Sequence, residues 1–308
     1  MTEVNVNALL AIFTALVLFL FAIESFGRNL EHTFKDKIKP LIQKATRHPL
    51  LSLLTGAIAT GLLQSSSAVS VIIVSLVSAK IMNLHQAVGI LLGTNIGTTL
   101  TAQLIAFKLT NVAPYFLVVG YFLNFAKGKI GMWGKPLFYF GLLFFGLNLL
   151  SKEVTVLQDH PFIKDWLLNT HSPYLGLIVG AVLTALLQSS SVMTGLIIIF
   201  CSQGLLNFEL AVPLLIGSNV GTTVTAIFAS FNLGVDARRA AAANLLINFA
   251  GLILFTPFLI PFTSLMQQSA SNLGQQVANA HLCFNLVTVV LILPFTGKLA
   301  HFVENRIH

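Results

Sequence analysis

The stretch Gln64-Ser65-Ser66-Ser67 sets four adjacent hydrogen-bonding side chains between the apolar runs Leu50–Leu63 and Ala68–Ala79, and Gln188-Ser189-Ser190-Ser191 does the same 124 positions later. Burying polar groups without partners is costly, so each block must meet other polar groups or a ligand. The flanking arms, about a dozen residues each, reach roughly 20 Å as helices. A hydrocarbon core of about 30 Å needs about 20 helical residues. Each block therefore reads as the tip of a re-entrant helical hairpin, the second spanning 174–203.

The same offset governs the rest of the chain. Gly93-Thr94-Asn95-Ile96-Gly97-Thr98-Thr99 returns as Gly217-Ser218-Asn219-Val220-Gly221-Thr222-Thr223, and Pro49 returns as Pro173. "LNFA" ending at Ala126 returns as "INFA" ending at Ala250. Self-similarity in one register marks a duplicated unit. The paired glycines suggest a transmembrane helix broken in each copy, at 86–108 and at 208–232.

Composition fixes the solvent. Of 308 residues, 56% are hydrophobic and 9% charged, against about 25% charged in soluble domains. The fold class is an all-α polytopic membrane protein. "MTEVNVNA" lacks the basic start of a secretory signal, so Leu9–Phe26 is kept as a membrane helix. Crossings are expected at 9–26, 86–108, 112–127, 133–150, 208–232, 240–260 and 281–300.

With the N-terminus outside, fourteen of the 17 Lys and Arg residues fall on the cytoplasmic side, and only Lys108, Lys152 and Lys164 fall outside, as short cytoplasmic loops favour. That accounts for the net charge of +7 without nucleic acid. The odd number of crossings between the hairpins turns the second repeat upside down, giving inverted-topology repeats of the kind that build midplane sites in secondary transporters. The expected divisions are 1–48 (first helix and a polar segment lying on the cytoplasmic surface), 49–150 (repeat 1), 151–173 (extracellular connector) and 174–308 (repeat 2). The chain is placed in the cell membrane with its C-terminus in the cytoplasm, in contact with lipid.

Two tips and two broken helices converging at mid-membrane would enclose a cavity of amide, hydroxyl and backbone groups. Helix N-termini suit a small oxyanion, and helix C-termini with hydroxyls suit sodium. No Lys or Arg lies in either tip or at either glycine break, so an anion's charge would be met by dipoles, hydroxyls and co-bound cations. Cys201 and Cys283 imply neither a disulfide framework nor a transition-metal site. No catalytic residue or organic cofactor is expected.

Duplicated Gln-Ser-Ser-Ser, each followed 29 residues later by Gly-x-Asn-x-Gly-Thr-Thr, resembles the type II sodium-phosphate cotransporter family from about residue 48 to 295. The resemblance implies symport of inorganic phosphate with Na+ by alternating access. It implies phosphate at Gln64, Ser65, Ser66, Ser67, Gln188, Ser189, Ser190 and Ser191. Sodium would lie at Asn95, Ser218, Asn219, Thr222 and Thr225, joined by Thr98 and Thr99 of the same motif. Relatives favour histidine where this chain has Asn244. A homodimer is an assembly open to such a protein.

The rivals are a carrier of another small anion, a phosphate exporter on the same scaffold, and, remotely, an intramembrane serine hydrolase, though neither serine block forms a Gly-x-Ser-x-Gly elbow. His281 and Asn285, one turn apart, read first as a helix-start or interhelical hydrogen bond and second as a gating or proton-sensing pair. Glu24 reads as a residue near the cytoplasmic end of the first helix.

Overall fold

A computed structural model describes residues 6–44, 48–107, 109–157 and 172–307. Within them the regular structure is entirely helical. Helix α1 covers Val6–Lys44, and the first hairpin is α2 (Pro49–Leu63) and α3 (Ser66–Ser78). Helices α4 (Leu84–Ala106), α5 (Ala113–Leu123) and α6 (Gly134–Glu153) follow. The second hairpin is α7 (Pro173–Leu187) and α8 (Ser190–Ser202). It is succeeded by α9 (Phe208–Thr222), α10 (Val224–Ser230), α11 (Val235–Phe255) and α12 (Leu259–Gln267). The chain ends in α13 (Leu273–Ile292) and α14 (Thr296–Arg306). Six helical runs among the described residues are long and apolar enough to cross a membrane.

Local chemistry starts the helices at the same place in each copy. Pro49 and Pro173 open α2 and α7 at positions where a missing N–H costs nothing. Asn83 caps α4 in a reciprocal box with Gln86, and Asn207 caps α9 by accepting from Leu210 N at 2.8 Å. The Cβ that Gly56 lacks would stand 2.0 Å from Ile90 O, and that of Gly180 would stand 2.1 Å from Leu214 O. Gly93 and Gly217 meet Leu53 O and Leu177 O, each at 2.0 Å. The 124-residue repeat is thus a repeat in packing as well as in letters: α2 lies on α4 as α7 lies on α9, backbone against backbone.

Those glycines correct one expectation. Helix α4 runs unbroken through Gly93 and Gly97, because both serve the close approach of α2 and neither leaves the helical conformation. In the second copy the interruption falls at Thr223, past both glycines, where its N–H turns to Val220 O at 3.1 Å and α10 begins.

Four other boundaries move. The polar stretch after residue 27 is helical in continuation of α1 as far as Lys44, with Phe34 edge-on to Trp133 (centroids 5.5 Å) and Ile38 and Ile42 buried. The crossing expected at 112–127 is an 11-residue helix, α5, about 17 Å long. It lies antiparallel along the first half of α6, with Gly120 against Phe138 and Gly141 against Ala113 and Leu117. The last crossing starts at Leu273 rather than 281, since Gln276 Nε2 donates to Gln267 O and Ala270 O and so keeps its polar first turns paired. The crossing expected at 240–260 begins at Val235. The connector at 158–171, with Lys164, and Lys108 lie outside the described residues.

Two apolar clusters flank the polar middle. One gathers α1, α6 and α8 with α9 and α13, around Phe19, Phe144 and Phe284. The other gathers α2, α3, α4 and α11, around Ile73, Ile90 and Ile247.

Candidate functional site

At each hairpin tip the glutamine ends one helix and the next serine starts another. Gln64 (φ 53°) and Gln188 (φ 56°) are left-handed, a region that ordinary side chains avoid. Each donates its N–H to a carbonyl four residues back, Thr60 O or Thr184 O, at 2.7 Å. Ser65 Oγ then accepts Ala68 N at 3.1 Å and Ser189 Oγ accepts Val192 N at 3.3 Å. The tip residue types follow from this turn: an amide in the left-handed position, then a hydroxyl N-cap.

The two tips meet. Ser67 Oγ donates to Gln188 O at 3.3 Å, and a cavity of about 520 Å³ is lined by Gln64, Ser65, Ser67, Gln188, Ser189, Ser191 and Thr225. Six of the eight residues expected to hold phosphate share this cavity, with Thr225 from the sodium set beside them. Its remaining wall includes Glu24, Arg28 and Glu31 of α1.

Ser66 and Ser190, the other two tip serines, face the opposite way, into a separate pocket of about 20 Å³. Every residue lining it carries a hydroxyl or an amide: Ser66, Ser70, Thr94, Asn95, Thr98, Ser190, Asn219, Thr222, Thr223, Asn244 and Asn248. Three of its pairs, Ser66 with Ser190, Asn95 with Asn219 and Thr98 with Thr222, are repeat mates, so the pocket straddles the two copies. Its volume is about that of one small occupant.

Hydrogen bonds fix the donors of this pocket. Asn95 Nδ2 donates to Asn248 Oδ1 at 3.1 Å, and Asn219 Nδ2 donates to Asn285 Oδ1 at 2.6 Å. Thr94, Thr98 and Thr222 return their hydroxyl protons to carbonyls of their own helices at 2.7, 2.9 and 3.0 Å. With those protons engaged, the oxygens keep lone pairs to offer. Among the described residues no cluster of His, Cys, Asp and Glu could hold a transition metal.

Thr99 and Ser218 do not join either hollow. Both are buried and bonded back to their helices, Thr99 to Ile96 O and Ser218 to Leu215 O, each at 2.7 Å. Asn285 acts through its neighbours: its Nδ2 donates to His281 O at 2.9 Å while its Oδ1 steadies Asn219. The interhelical bond expected of this pair is present at Asn285, while His281 sits well inside α13 and not at a helix start. Sequence reasoning missed Ser70, Thr94, Thr223 and Asn248 as lining residues and linked Asn244 to the site only by a family comparison. The repeated "NFA" held the signal for Asn248, since it places an asparagine in each copy.

The copies also differ. Thr101 Oγ1 donates to Gln64 Oε1 at 2.9 Å, tying the first tip to α4. Its mate Thr225 bonds to Thr222 O instead, also at 2.9 Å, and Gln188 stands exposed.

Apolar helices packed around paired hairpins and a pocket lined by hydroxyls and amides define a multi-pass membrane transport protein. Residues 18–152 and 162–293 match the family model described as Na+/Pi-cotransporter, and the chain belongs to that family, a family of phosphate transporters. It is 34% identical over 92% of its length to the uncharacterized protein YqeW of Bacillus subtilis, covering 94% of that protein. It is 25% identical over 97% of its length to the putative inorganic phosphate export protein YjbB of Escherichia coli, of which it spans 56%. Over 46% of its length it is 38% identical to the rat sodium-dependent phosphate transport protein 2C, of which it spans 22%. No solved structure matches the chain.

Proposed function

We propose that the protein moves inorganic phosphate across a cell membrane together with sodium, by alternating access. Phosphate occupies the cavity between the two tips and sodium the small oxygen-lined pocket behind them. The observation that carries this reading is the shared cavity: Ser67 and Gln188 touch, so both copies face one substrate. The tip hydroxyls and amides supply donors to phosphate oxygens and an acceptor for a protonated one.

Coupling has an electrical rationale. Bringing in a divalent phosphate against 100 mV, inside negative, costs about 4.6 kcal/mol, which two co-transported sodium ions cancel. The pocket lacks acidic side chains, so its affinity for a monovalent cation rests on neutral oxygens, and an anion in the neighbouring cavity would strengthen it. The two repeats are inverted in this reading, with the N-terminus outside and a second copy of the chain as a candidate partner. Hydrolysis is not assigned: no base is bonded to a tip serine among the described residues, and Ser65 and Ser189 are used as helix caps.

Export is a second reading, favoured by the relatives named as phosphate exporters that match nearly the whole chain. Radiolabelled phosphate flux in proteoliposomes with competitors tests the substrate. Arsenate should compete at concentrations close to phosphate and sulfate should not; equal competition by sulfate assigns the site to another anion. Flux against inward and outward sodium gradients then separates uptake from export.

A further inference from the structure

Helix α1 brings charge to a cavity whose tip residues are all neutral. Its midpoint passes the first hairpin tip so closely that a Cβ on Gly27 would lie 3.8 Å from Gln64 O. On that face Glu24, Arg28 and Glu31 line the cavity, spaced by four and three residues so that all three are neighbours on one helix surface. Arg28 is the only Lys or Arg among the described residues lining it. Its Nη2 lies 3.3 Å from Glu24 Oε1, with both side chains 63% exposed.

An exposed ion pair of this kind is weak, whereas a guanidinium presents a planar fork that matches two phosphate oxygens. We propose that Arg28 is a substrate-positioning residue of the phosphate cavity, and that Glu24 is its exchange partner. On entry phosphate takes the guanidinium from Glu24; on release Glu24 takes it back. No bond is made or broken in this exchange apart from hydrogen bonds. Glu31, three residues on, adds a second carboxylate to the same wall. The arrangement explains why a wall of mixed sign faces a site for an anion: attraction comes from one cation, and departure is kept fast by two carboxylates.

This rests on the phosphate reading of the cavity and is tested separately from it. Initial rates of radiolabelled phosphate transport are measured in proteoliposomes for the unaltered protein, Arg28→Gln, Arg28→Lys and Glu24→Gln. Arg28→Gln should raise KM about tenfold or more with kcat changed less than threefold, and Arg28→Lys should recover only part of the loss because it restores charge without the fork. Glu24→Gln should act in the opposite direction, lowering KM severalfold while slowing turnover. Arg28→Gln with KM within twofold of the unaltered protein overturns the proposal, as does a Glu24→Gln shift in the same direction as Arg28→Gln. An unaltered protein that carries no phosphate contradicts the reading of the cavity itself.

Discussion

Ser67 Oγ and the backbone oxygen of Gln188 are joined at 3.3 Å across two hairpins 121 residues apart in the chain. In the proposed reading the contact places donors of both tips on one anion. Ser67→Ala removes one donor from the cavity and frees Gln188 O. It should lower phosphate affinity by about tenfold, equivalent to about 1.4 kcal/mol, in equilibrium binding to purified protein. An unchanged affinity would leave Ser67 as a mere tie between helices.

The left-handed tip residue separates backbone from side chain. Gln64→Ala keeps the strain at φ 53° and loses the amide, whereas Gln64→Gly loses both. Thermal unfolding in detergent should therefore find Gln64→Gly more stable than Gln64→Ala by about 1 kcal/mol. Both variants should fail to move phosphate. Transport retained by the glycine variant would assign the tip's role to its backbone alone.

The glycine seam between hairpin and long helix tolerates no added side chain without a backbone shift. A methyl at Gly93 or Gly217 would come within 2.0 Å of a carbonyl oxygen, and backbone cannot move as a side chain can. Gly93→Ala and Gly217→Ala should each cost about 3 kcal/mol or more, read as loss of monodisperse protein. By contrast Gly128, with nothing within 4 Å, leaves space for a side chain, and only its φ of 77° resists Gly128→Ala.

The hairpin arms carry a matched pair of unsatisfied hydroxyls, Thr60 Oγ1 and Thr184 Oγ1, both buried. Valine has the same shape without the hydroxyl, and removing an unpaired buried polar atom is neutral or stabilising. Thr60→Val and Thr184→Val should change unfolding by less than about 1 kcal/mol on the destabilising side and preserve transport. A large loss of transport would place an ion or water at those hydroxyls.

The unequal tips predict an exchange. Gln64 is bonded to Thr101 while Gln188 is free of Thr225, and in the proposed alternating-access reading two inverted copies would reverse this difference between two open states. In a background with Cys201 and Cys283 replaced, the pair Gln64→Cys with Thr101→Cys should cross-link in one gradient condition. The pair Gln188→Cys with Thr225→Cys should cross-link in the opposite one. Cross-linking of both pairs under all conditions would argue against the exchange.

Much of this was legible in the letters because duplication repeats every constraint. A single serine block says little, but Gln64 and Gln188 in register, with Pro49 and Pro173 ahead of them, fixed the hairpins and the tips to within a residue or two. What the letters hid was the role of glycine. Gly93 and Gly97 look alike whether they break a helix or admit a neighbour, and only the position of Leu53 and Thr60 on α2 decides. The division of the tip serines was hidden for a similar reason: Ser66 and Ser67 are adjacent in sequence, yet helical rotation sends one into the ion-sized pocket and the other into the larger cavity. Arg28 escaped notice because a basic residue after an apolar run reads as a loop, whereas α1 carries it on past the tip.

The most direct test of sodium coupling between the two hollows is a sodium jump on proteoliposomes, with phosphate flux and current recorded together, for the unaltered protein and for Asn95→Ala with Asn219→Ala. The account predicts phosphate flux that rises with sodium in the unaltered protein and a much weaker sodium dependence when both asparagines are gone. Phosphate flux indifferent to sodium in the unaltered protein would contradict it.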